Sequence, residues 1–207
     1  MEVENERNEN SFKVIFIGDA SVGKTSIILK YVKKEFNENY QSTIGAELNN
    51  KEVILDKETV NLIIWDTSGQ ERYNSLISSY FRGSRGCFIV YDISDRNSFD
   101  NLETKFDLVR NYANEDVKII LVGNKNDLEE QRKVKTEEGK NFAEKKACPF
   151  FETSAKNNEN IDEIFKLMAE KIIESSKSPH ISKEIKKVAL NEHSSQNIDN
   201  EKKGCCS

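Results

Sequence analysis

The sequence predicts a doubly wound α/β domain: a mixed six-stranded sheet, mostly parallel with one antiparallel hairpin strand, and helices on both faces. Three observations predict it. The apolar runs FKVIFI, GCFIVYD and VKIILVG are continuous rather than alternating, as strands buried on both faces are. Stretches with apolar residues at helical spacing separate them, and strands joined through helices lie parallel. One pair departs from this rhythm, because KEVIL and NLIIWD lie on either side of the polar turn DKET with no helix between them, which suits a hairpin.

In chain order, FKVIFI is the first strand and TSIILKYVKK the first helix, followed by the hairpin. GCFIVYD then leads into one helix over NSFDNLETKFDLVRNYA, and VKIILVG, the helix TEEGKNFAEKKA and the strand PFFETS complete the alternation. The last helix opens at Asn160, whose side chain is placed to cap it while Glu163 returns the bond. Ile161, Ile164, Phe165, Met168 and Ile172 recur on one face and form its core stripe. Beyond Ser175 the composition turns to Ser, Lys, Asn and Glu, too polar to offset the entropy of ordering. The expectation is a disordered tail at 1–10, a folded domain at 11–175 and a flexible tail at 176–207.

A chain of 207 residues suits one core with tails. Its net charge is -5 with basic and acidic residues interspersed, which argues against a nucleic-acid-binding face. The longest apolar runs fall far short of the ~20 residues that span a bilayer. The opening MEVENERNEN lacks the basic patch and apolar segment of a signal peptide, and Glu2 excludes N-myristoylation, so cytosolic synthesis is expected. Cys87 and Cys148 sit in apolar runs as small core residues, while Cys205 and Cys206 are adjacent near the end, an arrangement unsuited to a disulfide framework.

Ligands of such folds bind at the carboxyl ends of the strands, and four polar stretches lie there. GDASVGKT follows the first strand. Its glycines let successive N–H groups curl into an anion nest, and the next helix adds the positive end of its dipole. Gly18, Ser21, Val22, Gly23, Lys24, Thr25 and Ser26 are therefore candidates to surround phosphate. Lys24 supplies a point charge to the β and γ phosphates, and the Thr25 hydroxyl is a ligand for Mg²⁺, which prefers oxygen. In WDTSGQ, Asp66 can hold the same ion through water, Gly69 offers an N–H to a γ phosphate, and Gln70 can orient an attacking water.

The base is addressed by NKND and ETSAK. Guanine presents an N1–H and a 2-amino group side by side, which the Asp127 carboxylate can accept together, whereas adenine has no such pair. Asn124 can tie this loop to the phosphate loop, and the Lys125 stem can cover one face of the base. Ser154 belongs to the same site, the Ala155 N–H can meet guanine O6, and Lys156 can cover sugar and base.

With GDASVGKT, WDTSGQER, NKND and ETSAK in this order, the chain resembles the small Ras-like GTPases over roughly residues 11–175. YQSTIGAE, QERYNSL, YFRGS, YDIS and the paired cysteines resemble the Rab branch in particular. The resemblance implies a Ras-like P-loop GTPase domain with slow, Mg²⁺-dependent GTP hydrolysis that switches effector recruitment in vesicle trafficking. It implies that Thr43 completes the metal shell and touches the γ phosphate, and that Lys24, Thr43 and Gln70 carry catalysis without a protein nucleophile. An activating protein would supply an arginine and a glutamine, leaving Gln70 to govern the intrinsic rate.

Further partners implied are an exchange factor, a dissociation inhibitor or escort protein, and effectors that read the switch segments and a patch of Leu48, Trp65 and Tyr80. The protein itself would be monomeric. The stripe Tyr73, Leu76, Ile77, Tyr80 and Phe81 has helical spacing and reads more as core than as interface. Leu48 stands where the family usually has phenylalanine, and Ser68 where it usually has alanine. Gly204 occupies the position of a C-a-a-X cysteine, so geranylgeranyl groups are implied instead on Cys205 and Cys206. Two such chains anchor stably and would hold the protein on the cytosolic face of endomembranes, cycling with cytosol. Two other readings are a non-hydrolysing, nucleotide-bound membrane scaffold, against which Gln70 and Thr43 argue, and an ATP-using P-loop kinase, for which the sequence offers no lid or adenine pocket.

Overall fold

Six strands form one sheet: β1 (Ser11–Ile17), β2 (Ala46–Ile54), β3 (Thr59–Thr67), β4 (Ser84–Asp92), β5 (Lys118–Asn124) and β6 (Phe150–Thr153). Their order is β2-β3-β1-β4-β5-β6, with β2 antiparallel to β3 and all other pairs parallel. The computed structural model describes residues 10–37, 43, 45–56, 58–68 and 74–177, with backbone alone for 74–77. The helices are α1 (Lys24–Lys33), α2 (Asn74–Phe81), α3 (Arg96–Asp100), α4 (Leu102–Tyr112), α5 (Thr136–Lys145) and α6 (Ile161–Lys177). Residues Met1–Ile172 form one compact unit and Ile173–Ser207 a second, of which 173–177 are described, as helix.

The central strands are apolar throughout because both of their faces are covered. In β1 successive side chains point to opposite faces, so Val14 and Phe16 go one way, Ile15 and Ile17 the other, and all four are buried. Phe16 meets Phe88 of β4 and Phe165 of α6, and Phe165 stacks on Tyr31 of α1 with ring centroids 3.7 Å apart. Ile15 and Ile17 join a separate cluster with Ile89, Tyr91, Leu102, Phe106 and Ala143, built under α4 and α5. The sheet is thus sandwiched, as the continuous apolar runs require.

Three local expectations are corrected. First, β2 begins five residues before KEVIL, and all nine of its residues pair with β3, from Ala46 opposite Thr67 to Ile54 opposite Thr59. Only Val53 of this edge strand is buried, so backbone ladder bonds, which leave no apolar pattern, hold its first half. Second, the single helix expected over 97–113 is two, divided at Asn101 (φ -78, ψ -4), whose side chain reaches Asp19. Third, Asn160 accepts from the Ile164 N–H through its carbonyl, but it sits at φ 56 and its amide donates to the Glu152 carbonyl. Its side chain fastens the start of α6 to β6 instead of closing the expected box with Glu163.

The predicted tails themselves lie almost wholly outside the described residues. At the margins, the Asn10 side chain donates to the Thr59 carbonyl, and α6 continues to Lys177.

Two glycines on neighbouring strands differ in what they protect. A Cβ on Gly123 would lie 2.7 Å from the Tyr91 hydroxyl and 2.8 Å from its ring carbon, and that ring is fully buried. On Gly86 the nearest atom would be the Met168 sulfur at 2.5 Å, on a side chain that adapts. Gly123→Ala should therefore destabilise by about 1–3 kcal/mol. Gly86→Ala should lower the urea midpoint less, with similar denaturant slopes for both.

Candidate nucleotide-binding site

The loop between β1 and α1 is held close to its neighbours at two glycines. Gly18 has φ 146, and a Cβ there would stand 2.2 Å from the Val90 carbonyl oxygen. Gly23 has φ 94, and its Cβ would stand 2.3 Å from Asn124 Nδ2. Both conformations suit glycine alone. The first turn of α1 thereby opens onto a cavity of about 420 Å³. Lys24, nearly buried, bends back over its own loop and donates from Nζ to the carbonyls of Gly18 and Asp19, each at 2.8 Å. Its charge is therefore held at the loop.

Three oxygens from distant segments converge beside it. Thr25 Oγ1 donates to Asp66 Oδ2 at 2.5 Å and lies 2.7 Å from Thr43 Oγ1. Asp66 is buried, and its second oxygen, Oδ1, has no partner among the described residues. Burial pushes the Asp66 carboxyl up to about 6, the Thr25 hydrogen bond and the Lys24 charge opposing it, Glu47 adding to the rise and Thr43 opposing it. Among the described residues no group of three His, Cys, Asp or Glu side chains could hold a metal. Two hydroxyls with one carboxylate, one oxygen of it unpaired, instead fit a hard divalent ion that takes few protein ligands, such as Mg²⁺.

At the other end of the cavity, Asn124 closes β5 in register with Asp92 of β4 and Thr153 of β6. Its Nδ2 donates to the Val22 carbonyl at 2.9 Å, and its Oδ1 accepts from Thr153 Oγ1 at 3.1 Å. Lys125 follows at φ 66 and pairs through Nζ with Asp92 Oδ2 at 2.7 Å, while Asp92 Oδ1 accepts from the N–H and hydroxyl of Ser94. Asp127 Oδ1 accepts from Ser154 Oγ at 2.5 Å, and that hydroxyl accepts from the Asn157 N–H. Arg132 grips Glu152 with two hydrogen bonds, linking the segment after Asp127 to β6.

Of the residues singled out in the sequence, Ser21, Gly23, Lys24, Thr25, Ser26, Thr43, Ser68, Asn124, Lys125, Asp127, Ala155 and Lys156 line this one cavity. Gly18, Val22, Asp66 and Ser154 stand behind its wall and support it. Gly69, Gln70, Cys205 and Cys206 lie outside the described residues. The structure adds Phe36, an exposed ring on the cavity wall, and Asp92, which holds Lys125. A lone aromatic in the polar run KKEFNEN was the available sign of Phe36; Asp92 stands in YDIS, but its pairing with Lys125, 33 positions away, left no local pattern.

Residues 13–174 match the Ras family model. Similar proteins include "Ras-related protein Rab-11B" of Dictyostelium discoideum, 48% identical over 74% of this chain and 70% of that protein. "Ras-related protein Rab11A" of Lotus japonicus is 45% identical over 74% of this chain and 68% of its own length. "Ras-related protein Rab-2B" of Dictyostelium discoideum is 42% identical over 82% and 84%. The chain belongs to the Ras family, as a Rab-type small GTPase.

In this Rab-type protein the matched span contains the whole cavity and also a surface patch beside it. Leu48, 54% exposed, lies opposite Trp65 in the β2–β3 ladder, and Trp65 meets Tyr80 with ring centroids 6.0 Å apart. Lys13 Nζ sits 4.0 Å above the Trp65 ring and donates to the carbonyls of Ser79 and Arg82, fastening the end of α2 to β1. Within the predicted stripe, Phe81 is buried against Tyr112 whereas Tyr80 is only partly buried, beside Trp65; Tyr73 lies outside the described residues, as do the side chains of Leu76 and Ile77.

Asn124→Ala would leave the Val22 carbonyl and the Thr153 hydroxyl without their buried partner. The expected loss is about 1–3 kcal/mol. Urea denaturation with and without guanine nucleotide should show that loss under both conditions.

Proposed function

We propose that this Rab-type protein binds GTP with Mg²⁺, hydrolyses it slowly, and uses the change to recruit effectors in vesicle traffic. The observation that carries the reading is the single cavity with a phosphate-receiving loop and three convergent oxygens at one end and Asp127 with Ala155 and Lys156 at the other.

Thr25, Thr43 and Asp66 would hold Mg²⁺, Asp66 through water, and the ion would supply charge neutralisation at the β and γ oxygens. Lys24, already fixed by two loop carbonyls, contributes its charge to the same oxygens without reorganising. The loop N–H groups orient the triphosphate. Gln70 positions a water in line with the γ phosphate, Gly69 donates an N–H to it, and no protein nucleophile takes part. At the base, the Ser154 hydroxyl orients Asp127 toward the guanine N1–H and 2-amino group, and the Phe36 ring offers an apolar face. Loss of the γ phosphate releases Thr43 and Gly69, and with them the two segments that partners read.

Effectors would dock on Leu48, Trp65, Tyr80 and those segments, with an exchange factor, an activating protein and a dissociation inhibitor or escort acting on the same cycle. No helix of the described residues is long and apolar enough to cross a membrane. Attachment is assigned to geranylgeranyl groups on Cys205 and Cys206, on the cytosolic face of endomembranes.

Single-turnover GTP hydrolysis by the purified protein tests the activity; bound GTP that never turns over would leave a nucleotide-bound scaffold. Asp127→Asn should weaken guanine nucleotide binding about a hundredfold or more and favour xanthine nucleotides, because the amide donates where the carboxylate accepts. Competition binding with the two diphosphates measures it, and unchanged preference for guanine would remove Asp127 from base recognition. Replacing Cys205 and Cys206 together by serine should shift the protein from the membrane to the cytosolic fraction, and continued sedimentation with membranes would defeat the lipid assignment.

A further inference from the structure

The phosphate loop has a third fixed point that faces away from the cavity. Asp19 does not line the cavity; its carboxylate meets α4. Asn101, at the break between α3 and α4, donates from Nδ2 to Asp19 Oδ2 at 2.7 Å. Lys105, one helical turn further on, pairs through Nζ with Asp19 Oδ1 at 2.9 Å. Each carboxylate oxygen thus has its own donor, one from the residue that precedes α4 and one from the first turn of α4.

Lys105 lies in an unusual setting for a lysine. It is only 8% exposed, on a helix whose Leu102, Phe106 and Val109 are buried in the core. A cation so placed is costly unless it is paired, so the carboxylate of Asp19 compensates it from the loop. The same residue also accepts Lys24 Nζ on its carbonyl oxygen. One residue therefore links α4 to the amine that addresses phosphate. With Gly18 pressed on the Val90 carbonyl and Val22 held by Asn124, the loop is clamped at three places, and Ala20 and Ser21 between them face the cavity.

We propose that Lys105 and Asn101 are positioning residues for the phosphate loop: acting through Asp19, they hold the loop and Lys24 in the phosphate-receiving arrangement and so set how long a bound guanine nucleotide stays. Neither side chain lines the cavity. The inference rests on the nucleotide-binding reading above, and the test separates the two.

The measurement is the dissociation rate of N-methylanthraniloyl-GDP from the full chain in Mg²⁺, for the wild type, Lys105→Met, Asp19→Asn and the double variant. Lys105→Met should release the nucleotide about tenfold faster, the size of effect expected for losing a charge-assisted bond to the loop. In the Asp19→Asn background the same substitution should add about twofold or less, because its partner charge is already gone. Release from Lys105→Met at the wild-type rate, or an acceleration that persists undiminished beside Asp19→Asn, overturns the proposal. A wild type that does not bind the probe overturns the nucleotide reading and this inference with it. Should Lys105→Met fail to fold, Asn101→Ala makes the same test from an exposed position: about threefold faster release is expected for the loss of a hydrogen bond to a carboxylate, and an unchanged rate overturns the clamp.

Discussion

One buried carboxamide, that of Asn124, joins the two halves of the cavity. It ends β5, holds the Val22 carbonyl of the loop between β1 and α1, and is itself held by Thr153 at the end of β6. Both of its polar atoms are engaged, which is the condition for a polar side chain this deep to stabilise rather than to cost. Gly23 lets the backbone come that close, and Lys125 and Asp127 leave the strand from the same point. The distance between the β1–α1 loop and the segment that carries Lys125 and Asp127 is therefore fixed by a side chain of the scaffold.

The charges around this frame are arranged at some expense to the fold. The Asp66 carboxyl, pushed up to about 6 by burial, binds a proton more readily in the folded chain than in the unfolded one. Keeping it ionised above that pH therefore lowers stability, and the penalty fades as pH falls through about 6. A divalent ion at its oxygens would offset the same term. Lys24 and Lys105 are buried cations, and each is met by oxygens of one loop.

Much of this was legible in the sequence because it is local. Continuous apolar runs disclosed the sandwiched strands, and Gly18, Gly23, Lys24 and Thr25 lie within eight consecutive positions whose spacing reflects a strand-to-helix turn. The first half of β2 was hidden because its bonds are backbone ladder bonds under mostly exposed side chains. The break at Asn101 was hidden too, since its reason is Asp19, 82 positions earlier. Asn160 resembled a helix cap, and only the position of Glu152 shows where its amide goes. Pairings between residues far apart in the chain leave no periodicity to detect.

The polar edge strand has a mechanical consequence of its own. Within the described residues β2 pairs with β3 alone, and with Val53 its single buried side chain, little hydrophobic burial opposes sliding of one strand along the other. A slide by one residue would carry Leu48 off Trp65 and bring Glu47 or Asn49 there, turning a greasy contact surface into a charged or amide one. The chemical character of that surface is thus set by the alignment of two backbones, and any force that tugs on the start of β2 acts on it directly.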